Sequence, residues 1–305
     1  MSGFPDGVWP VMLTPFDADG AVDWDGVDTL TEWYLESGVA GLFAVCLSSE
    51  MYHLTEGERL ALAQRVISCV DGRVPVVASG TFGGTITGQS NFIKEMAQTG
   101  VDAVVVLANQ LVEQQHSEKN WRQVAERLLA VTENIPLGLY ECPVPYRRVL
   151  SADLLGWCVS TGRFLFIKET SCQMAVMQPK IDVVQGSSLR LLNANTPTLL
   201  SSLRAGGSGY CGTAANFFPD LFVWLCRYFK TEPDMADDLQ RFLSVADFVV
   251  RHKYKTFAKQ YLSQVGLQML PVCRDKNVDL NEEDMLALKH LHELADMQRD
   301  VLGLL

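Results

Sequence analysis

Lys168 stands near the end of the run Phe164-Leu165-Phe166-Ile167-Lys168-Glu169-Thr170-Ser171. Four consecutive large apolar residues read as a strand buried on both faces, and that strand leads straight into an ammonium group. Lysine is seldom buried because its charge is strongly hydrated, so one placed here needs either a partner or a task. A carboxylate such as the adjacent Glu169 would be a partner. The task that suits a desolvated lysine is nucleophilic: a free amine condenses with a carbonyl to form a Schiff base. The choice between the two depends on which other groups the chain brings to the same place.

Apolar runs at Val8–Leu13, Gly41–Val45, Val74–Ala78, Ala103–Leu107, Leu137–Tyr140, the Lys168 stretch, Ile181–Gln185 and Gly209–Thr213 read as strands, separated by helical patterns. Two helix starts carry explicit caps: Thr55 with Glu58, and Asn281 ahead of Glu282, Glu283 and Asp284. Eight strand-then-helix units predict an α/β fold, a (β/α)8 TIM barrel, over residues 1–230. A doubly wound open sheet would want a glycine-rich phosphate turn after the first strand, where this chain has Thr14-Pro15-Phe16. Residues 231–305 show no strand pattern and read as a C-terminal α-helical subdomain.

In such a barrel the reactive groups sit at the C-terminal strand ends. Those ends offer Ser48, Ser49 and Glu50 after strand two, Ser79 and Thr81 after three, Asn109 after four and Tyr140 at the end of five. Lys168 follows on six, Gly186 and Ser187 after seven, and Cys211, Thr213 and Asn216 in and after eight. One lysine, one tyrosine and several hydroxyls on one rim suit imine chemistry. The lysine attacks a ketone, the phenol moves protons, and hydroxyls with backbone N–H groups hold the carboxylate of a 2-oxo acid. Lys168 and Tyr140 are therefore the catalytic candidates, and Ser48, Ser49, Asn109, Gly186 and Cys211 the substrate-binding ones.

The 305 residues carry a net charge of -11, which argues against nucleic-acid or anionic-membrane partners. No apolar run reaches the length of a membrane span, and the start has no signal-peptide pattern, so a cytoplasmic protein is expected. Eight scattered cysteines without a C-x-x-C pair read as reduced thiols. The five histidines show no metal-ligand spacing, and no metal or organic cofactor is expected.

The strand-two hydroxyl turn before Leu54-Thr55-Glu56, then Leu139-Tyr140-Glu141-Cys142-Pro143, then Phe166-Ile167-Lys168-Glu169-Thr170-Ser171, resembles the dihydrodipicolinate synthase and N-acetylneuraminate lyase family. The likeness continues through Ala205-Gly206-Gly207-Ser208-Gly209 and Asn216-Phe217-Phe218-Pro219, and so covers nearly the whole chain. It implies a class I aldolase-type lyase. Lys168 would form a Schiff base with pyruvate or another 2-oxo acid, Tyr140 would shuttle protons, and Ser48 with its neighbouring backbone would bind the carboxylate. It also implies a homotetramer, a dimer of dimers.

Three stretches depart from the family's pattern. Where members commonly carry G-T-T-G-E or G-S-T-G-E, this chain has Cys46-Leu47-Ser48-Ser49-Glu50, and Leu47 has no hydroxyl to relay a proton. Ala108-Asn109-Gln110 stands where synthases usually offer a proline and paired tyrosines. Pro145 stands where they place an arginine, with Arg147 and Arg148 further along. The expected reaction makes or cleaves a C–C bond between a 2-oxo acid and an aldehyde. The alternatives are dihydrodipicolinate synthase or N-acetylneuraminate lyase activity proper, and a barrel that binds a 2-oxo acid with little catalysis.

Overall fold

The computed structural model describes residues 4–304. Strands β1 (Gly7–Val8), β2 (Leu42–Val45), β3 (Val76–Ser79), β4 (Ala103–Leu107), β5 (Leu137–Tyr140), β6 (Phe164–Glu169), β7 (Arg190–Asn193) and β8 (Gly209–Tyr210) pair in parallel in the order β1-β8-β7-β6-β5-β4-β3-β2. Ala40 N donates to Val8 O at 2.8 Å and Phe43 N to Pro10 O at 3.0 Å, so the chain around β1 also meets β2 and the ring closes. The fold is the expected (β/α)8 barrel.

Helices α1 (Trp24–Glu36), α2 (Glu56–Val70), α3 (Ile86–Gln98), α4 (Glu118–Val131), α5 (Ala152–Ser160), α6 (Met174–Val184), α7 (Leu199–Arg204) and α8 (Pro219–Tyr228) follow the strands in turn. Three more, α9 (Pro233–Arg251), α10 (Thr256–Leu262) and α11 (Glu282–Leu302), complete the chain. Thr55 and Glu58 form the expected capping box on α2, and Asn281 with Asp284 forms one on α11.

The barrel's lower interior is filled by aromatic rings. Phe4 stacks on Trp9 at 4.4 Å and on Phe166 at 5.0 Å between centroids. Gly138 makes room for this layer, since a Cβ there would lie 2.3 Å from the Phe166 ring. At the seam, Gly209 has φ +153° and a Cβ would lie 1.9 Å from Gly7 O, so only glycine lets β8 approach β1 this closely.

One strand lies elsewhere than expected. Ile181–Gln185 is not strand seven: residues 174–184 are a single helix, α6, and β7 is Arg190–Asn193. A short apolar run of β-branched residues reads equally as strand or helix. Met177, Ile181 and Val184 recur at helical spacing and are buried together, and that pattern wins.

Glu58 joins the barrel to the segment beyond α10. Besides capping α2, it accepts from Arg274 Nη1 at 2.9 Å and Nη2 at 2.7 Å. The Arg274 hydrogen bonds, with those of Thr55, hold its carboxyl at a pKa of about 2, below the ordinary 4.5. A depressed carboxylate contributes stability that is present above its unfolded value and lost as pH falls through its folded one. Urea midpoints of the wild type should therefore fall more steeply between pH 4.5 and pH 2 than those of Glu58→Gln. Parallel curves would contradict this.

Candidate active site

Tyr140 and Lys168 are cross-strand partners at the C-terminal ends of β5 and β6. Side chains alternate along a strand, so this register turns both into the barrel mouth and turns the next residues, Glu141 and Glu169, outward. Lys168 is 5% exposed, and its Nζ lies 4.5 Å from the Tyr140 ring centroid and 5.8 Å from that of Phe43. Among the described residues no carboxylate forms an ion pair with it. The expected competitor, Glu169, is held by Lys180.

Lys180 projects from α6 into the layer behind the strands, donating to Glu141 Oε1 at 2.6 Å and Glu169 Oε1 at 2.9 Å. All three side chains are buried. Glu141 also accepts from Leu150 N at 2.9 Å and Thr170 N at 3.0 Å, so one carboxylate ties β5, the loop before α5 and the end of β6 together. Burial pushes the Glu141 carboxyl up; Lys180 opposes this and Glu169 adds to it. The backbone that aims Tyr140 and Lys168 is thus fixed by the residues one step further along each strand.

Weakly polar groups surround the lysine. Cys46, Cys142 and Cys211 come from the ends of β2, β5 and β8, and burial raises all three thiols, Cys211 to about 12. Burial likewise raises the Tyr140 phenol well above its ordinary value, followed in effect by the same three cysteines. At neutral pH Tyr140 is therefore a proton-bearing donor beside the amine.

Above the pair opens a cavity of about 400 Å³ whose walls include Leu47, Ser48, Tyr140, Lys168, Thr213 and Tyr254. Its rim carries His53, Arg147, Lys255 and Asp275. Ser48 presents its hydroxyl to this space, and no backbone carbonyl among the described residues accepts from the N–H of Ser48 or Ser49. Glu50 also borders the cavity, but its oxygens are engaged. Oε1 accepts from Lys259 Nζ at 2.9 Å, and Oε2 from the N–H of Arg274 at 2.6 Å and of Asp275 at 2.9 Å. The donor atoms of Glu50, Cys273 and Asp275 lie within 4.8 Å of one another. Lys259 holds Glu50 and Lys255 pairs with Asp275, so both carboxylates of this group already have a lysine partner.

Four of the substrate-binding candidates lie away from this space. The Ser49 hydroxyl accepts from Cys46 N at 2.6 Å and donates to Cys46 O at 2.7 Å, closing the strand-two turn. Asn109 gives its amide hydrogens to the carbonyls of Cys142, Val144 and Tyr146, bracing the loop after β5. Cys211 lies buried beneath the cavity lining. Gly186 follows α6 and precedes β7, which places it at the opposite end of the barrel from the mouth, a consequence of the displaced strand. Gln110 donates to Tyr52 Oη at 3.1 Å, and Tyr52 to Val144 O at 3.1 Å.

The link between α9 and α10 and the segment beyond α10 supply Tyr254, Lys255 and Asp275, which sequence reading missed. A tyrosine between two lysines reads as a solvated loop. Its only signal is the lone aromatic in a charged link between two helices.

The model of the dihydrodipicolinate synthetase family matches residues 5–294. The 4-hydroxy-tetrahydrodipicolinate synthase of Methanococcus maripaludis strain C6 is 29% identical over 232 residues, 73% of this chain and 74% of that protein. The corresponding enzyme of Saccharophagus degradans is 26% identical over 225 residues, 72% and 74% of the two chains. Among solved structures, a dihydrodipicolinate synthase of Bacillus anthracis superposes with a TM-score of 0.85 at 24% identity, covering 96% of this chain and 99% of the other. YagE of Escherichia coli K12, a prophage protein of the same family solved in complex with pyruvate, superposes with a TM-score of 0.86 at 24% identity, covering 95% and 98%.

Proposed function

The chain belongs to the dihydrodipicolinate synthetase family, and on that premise we propose that it is a class I aldolase-type lyase acting on a 2-oxo acid, pyruvate first, and an aldehyde. The observation that carries this reading is a buried lysine that has no ion-pair partner among the described residues, set against a tyrosine on the adjacent strand at the floor of a cavity.

The Lys168 amine attacks the ketone carbon of the 2-oxo acid. Tyr140 gives its proton to the departing hydroxyl, water leaves, and an imine remains. The imine nitrogen draws the electrons of the adjacent C–H bond as that carbon gives up a proton. The resulting enamine carbon bonds to the aldehyde carbon, whose oxygen takes a proton, and water then frees the product and Lys168. Cleavage is the same sequence reversed. Ser48 and the N–H groups of its turn receive the carboxylate. With both Glu50 oxygens engaged, proton movement falls to Tyr140.

Of the departures from the family's pattern, those on the aldehyde side carry the most weight: Arg147, Lys255 and His53 on the rim are this chain's own set for the second substrate. Among the described residues no helix is long and apolar enough to cross a membrane. A cytoplasmic location and a homotetramer complete the proposal, the latter checked by light scattering against four chains of 33.8 kDa.

Tyr140→Phe keeps the nucleophile and removes the proton donor. Turnover with pyruvate and an accepted aldehyde should fall by about 10²- to 10³-fold, while borohydride traps pyruvate on Lys168 more slowly but still on that residue. Unchanged turnover would remove Tyr140 from the mechanism.

A further inference from the structure

Four polar side chains from separate parts of the chain form a hydrogen-bonded line that ends in the cavity. Tyr34 on α1 donates its phenol hydrogen to Asn216 Oδ1. Asn216 donates through Nδ2 to Val11 O at 2.9 Å and to Tyr254 Oη at 2.5 Å. Tyr254 donates to Ser48 Oγ at 2.9 Å.

The direction of this line follows from one group that can only accept. Val11 O is a carbonyl, so the amide nitrogen of Asn216 must face it, and the amide oxygen is left for Tyr34. Tyr254 receives an N–H, which leaves its own hydrogen for Ser48. Ser48 receives an O–H, and among the described residues its own hydrogen has no protein acceptor, so it is left for the cavity. Each bond polarises the next, which strengthens the last donor. A serine with the opposite sense would present lone pairs to an incoming carboxylate.

We propose that Tyr254 is a positioning residue for the 2-oxo acid carboxylate: it holds the Ser48 hydroxyl as a donor into the cavity, so the site selects a carboxylate-bearing ketone over a neutral one. The inference rests on the imine reading above. It also gives the α9–α10 link a part in substrate choice although the reacting residues lie on the barrel strands.

The test is borohydride trapping with the full-length protein, measured against concentration for pyruvate and for acetone, which forms an imine but has no carboxylate. Tyr254→Phe should raise the pyruvate concentration for half-maximal trapping about tenfold, the loss expected for one hydrogen bond to a charged group, and leave acetone trapping within about twofold. Ser48→Ala should reproduce that selective loss, and the double variant should add little to either single change. Equal losses for both ketones would show a packing role and overturn the proposal, as would additive losses or an unchanged pyruvate curve. Absence of any wild-type adduct with either ketone would overturn the imine reading itself, a result distinct from an adduct that forms normally and ignores Tyr254.

Discussion

Lys168→Ala is expected to abolish turnover, on the order of 10⁴-fold or more as for other covalent nucleophiles, in a protein that remains folded. Among the described residues the amine is the only group at the cavity floor that can bond to a ketone and then accept its electrons, and Tyr140 has nothing to protonate without it. Stability should change by less than about 2 kcal/mol, because truncation breaks no ion pair: Lys168 rests on the rings of Tyr140 and Phe43 and is paired with no carboxylate among the described residues. Lys168→Arg keeps a long basic side chain and should be equally inactive, since guanidinium is not a nucleophile at neutral pH. Turnover with a urea midpoint taken beside it checks both parts. Retained activity in either variant would remove the imine mechanism.

Lys180→Met is expected to do the reverse in kind. It leaves Glu141 and Glu169 buried without a cation, and breaking a buried ion pair from one side destabilises by about 3–5 kcal/mol. The sign of the pH dependence follows from Glu141. Burial already raises its carboxyl above 4.5, and such a group contributes stability that is present below its unfolded value and lost as pH rises through its folded one. Removing Lys180 raises it further. The variant should therefore lose more stability at pH 8 than at pH 5 relative to wild type, and adding Glu141→Gln should recover part of the loss. Urea melts at the two pH values check this; a loss independent of pH would show that the triad is not held by charge.

Together the two lysines show why sequence alone left a choice open. Phe164–Ile167 identified a core strand and placed a lysine at its end, but whether that lysine was paired depended on α6. The residues just after Lys180, Ile181–Gln185, read as strand seven in the sequence and form the end of that helix and its cap in the structure. The structure gives the structural part to Lys180 and leaves Lys168 without a carboxylate partner among the described residues. Tyr140, Lys168 and Ser48 were legible because each lies within or just after a strong apolar strand. Ser49 and Asn109 have the residue types of ligands at strand ends, and sequence does not say whether a hydroxyl or amide is already satisfied by nearby backbone. Gly186 reads as a rim residue only if Ile181–Gln185 is a strand, and that stretch belongs to α6 and the turn after it. Tyr254 was invisible because its neighbours in sequence are lysines, while its partners Ser48 and Asn216 are distant along the chain.

The most direct measurement is borohydride reduction of the wild-type protein with pyruvate, followed by intact and peptide mass spectrometry. Reduction turns an imine into a stable secondary amine on the residue that formed it. The expected result is one pyruvate-derived adduct per chain, on the peptide containing Lys168 and absent from Lys168→Ala. An adduct at Lys180, Lys255 or Lys259 instead, or no adduct from folded protein, would contradict the account.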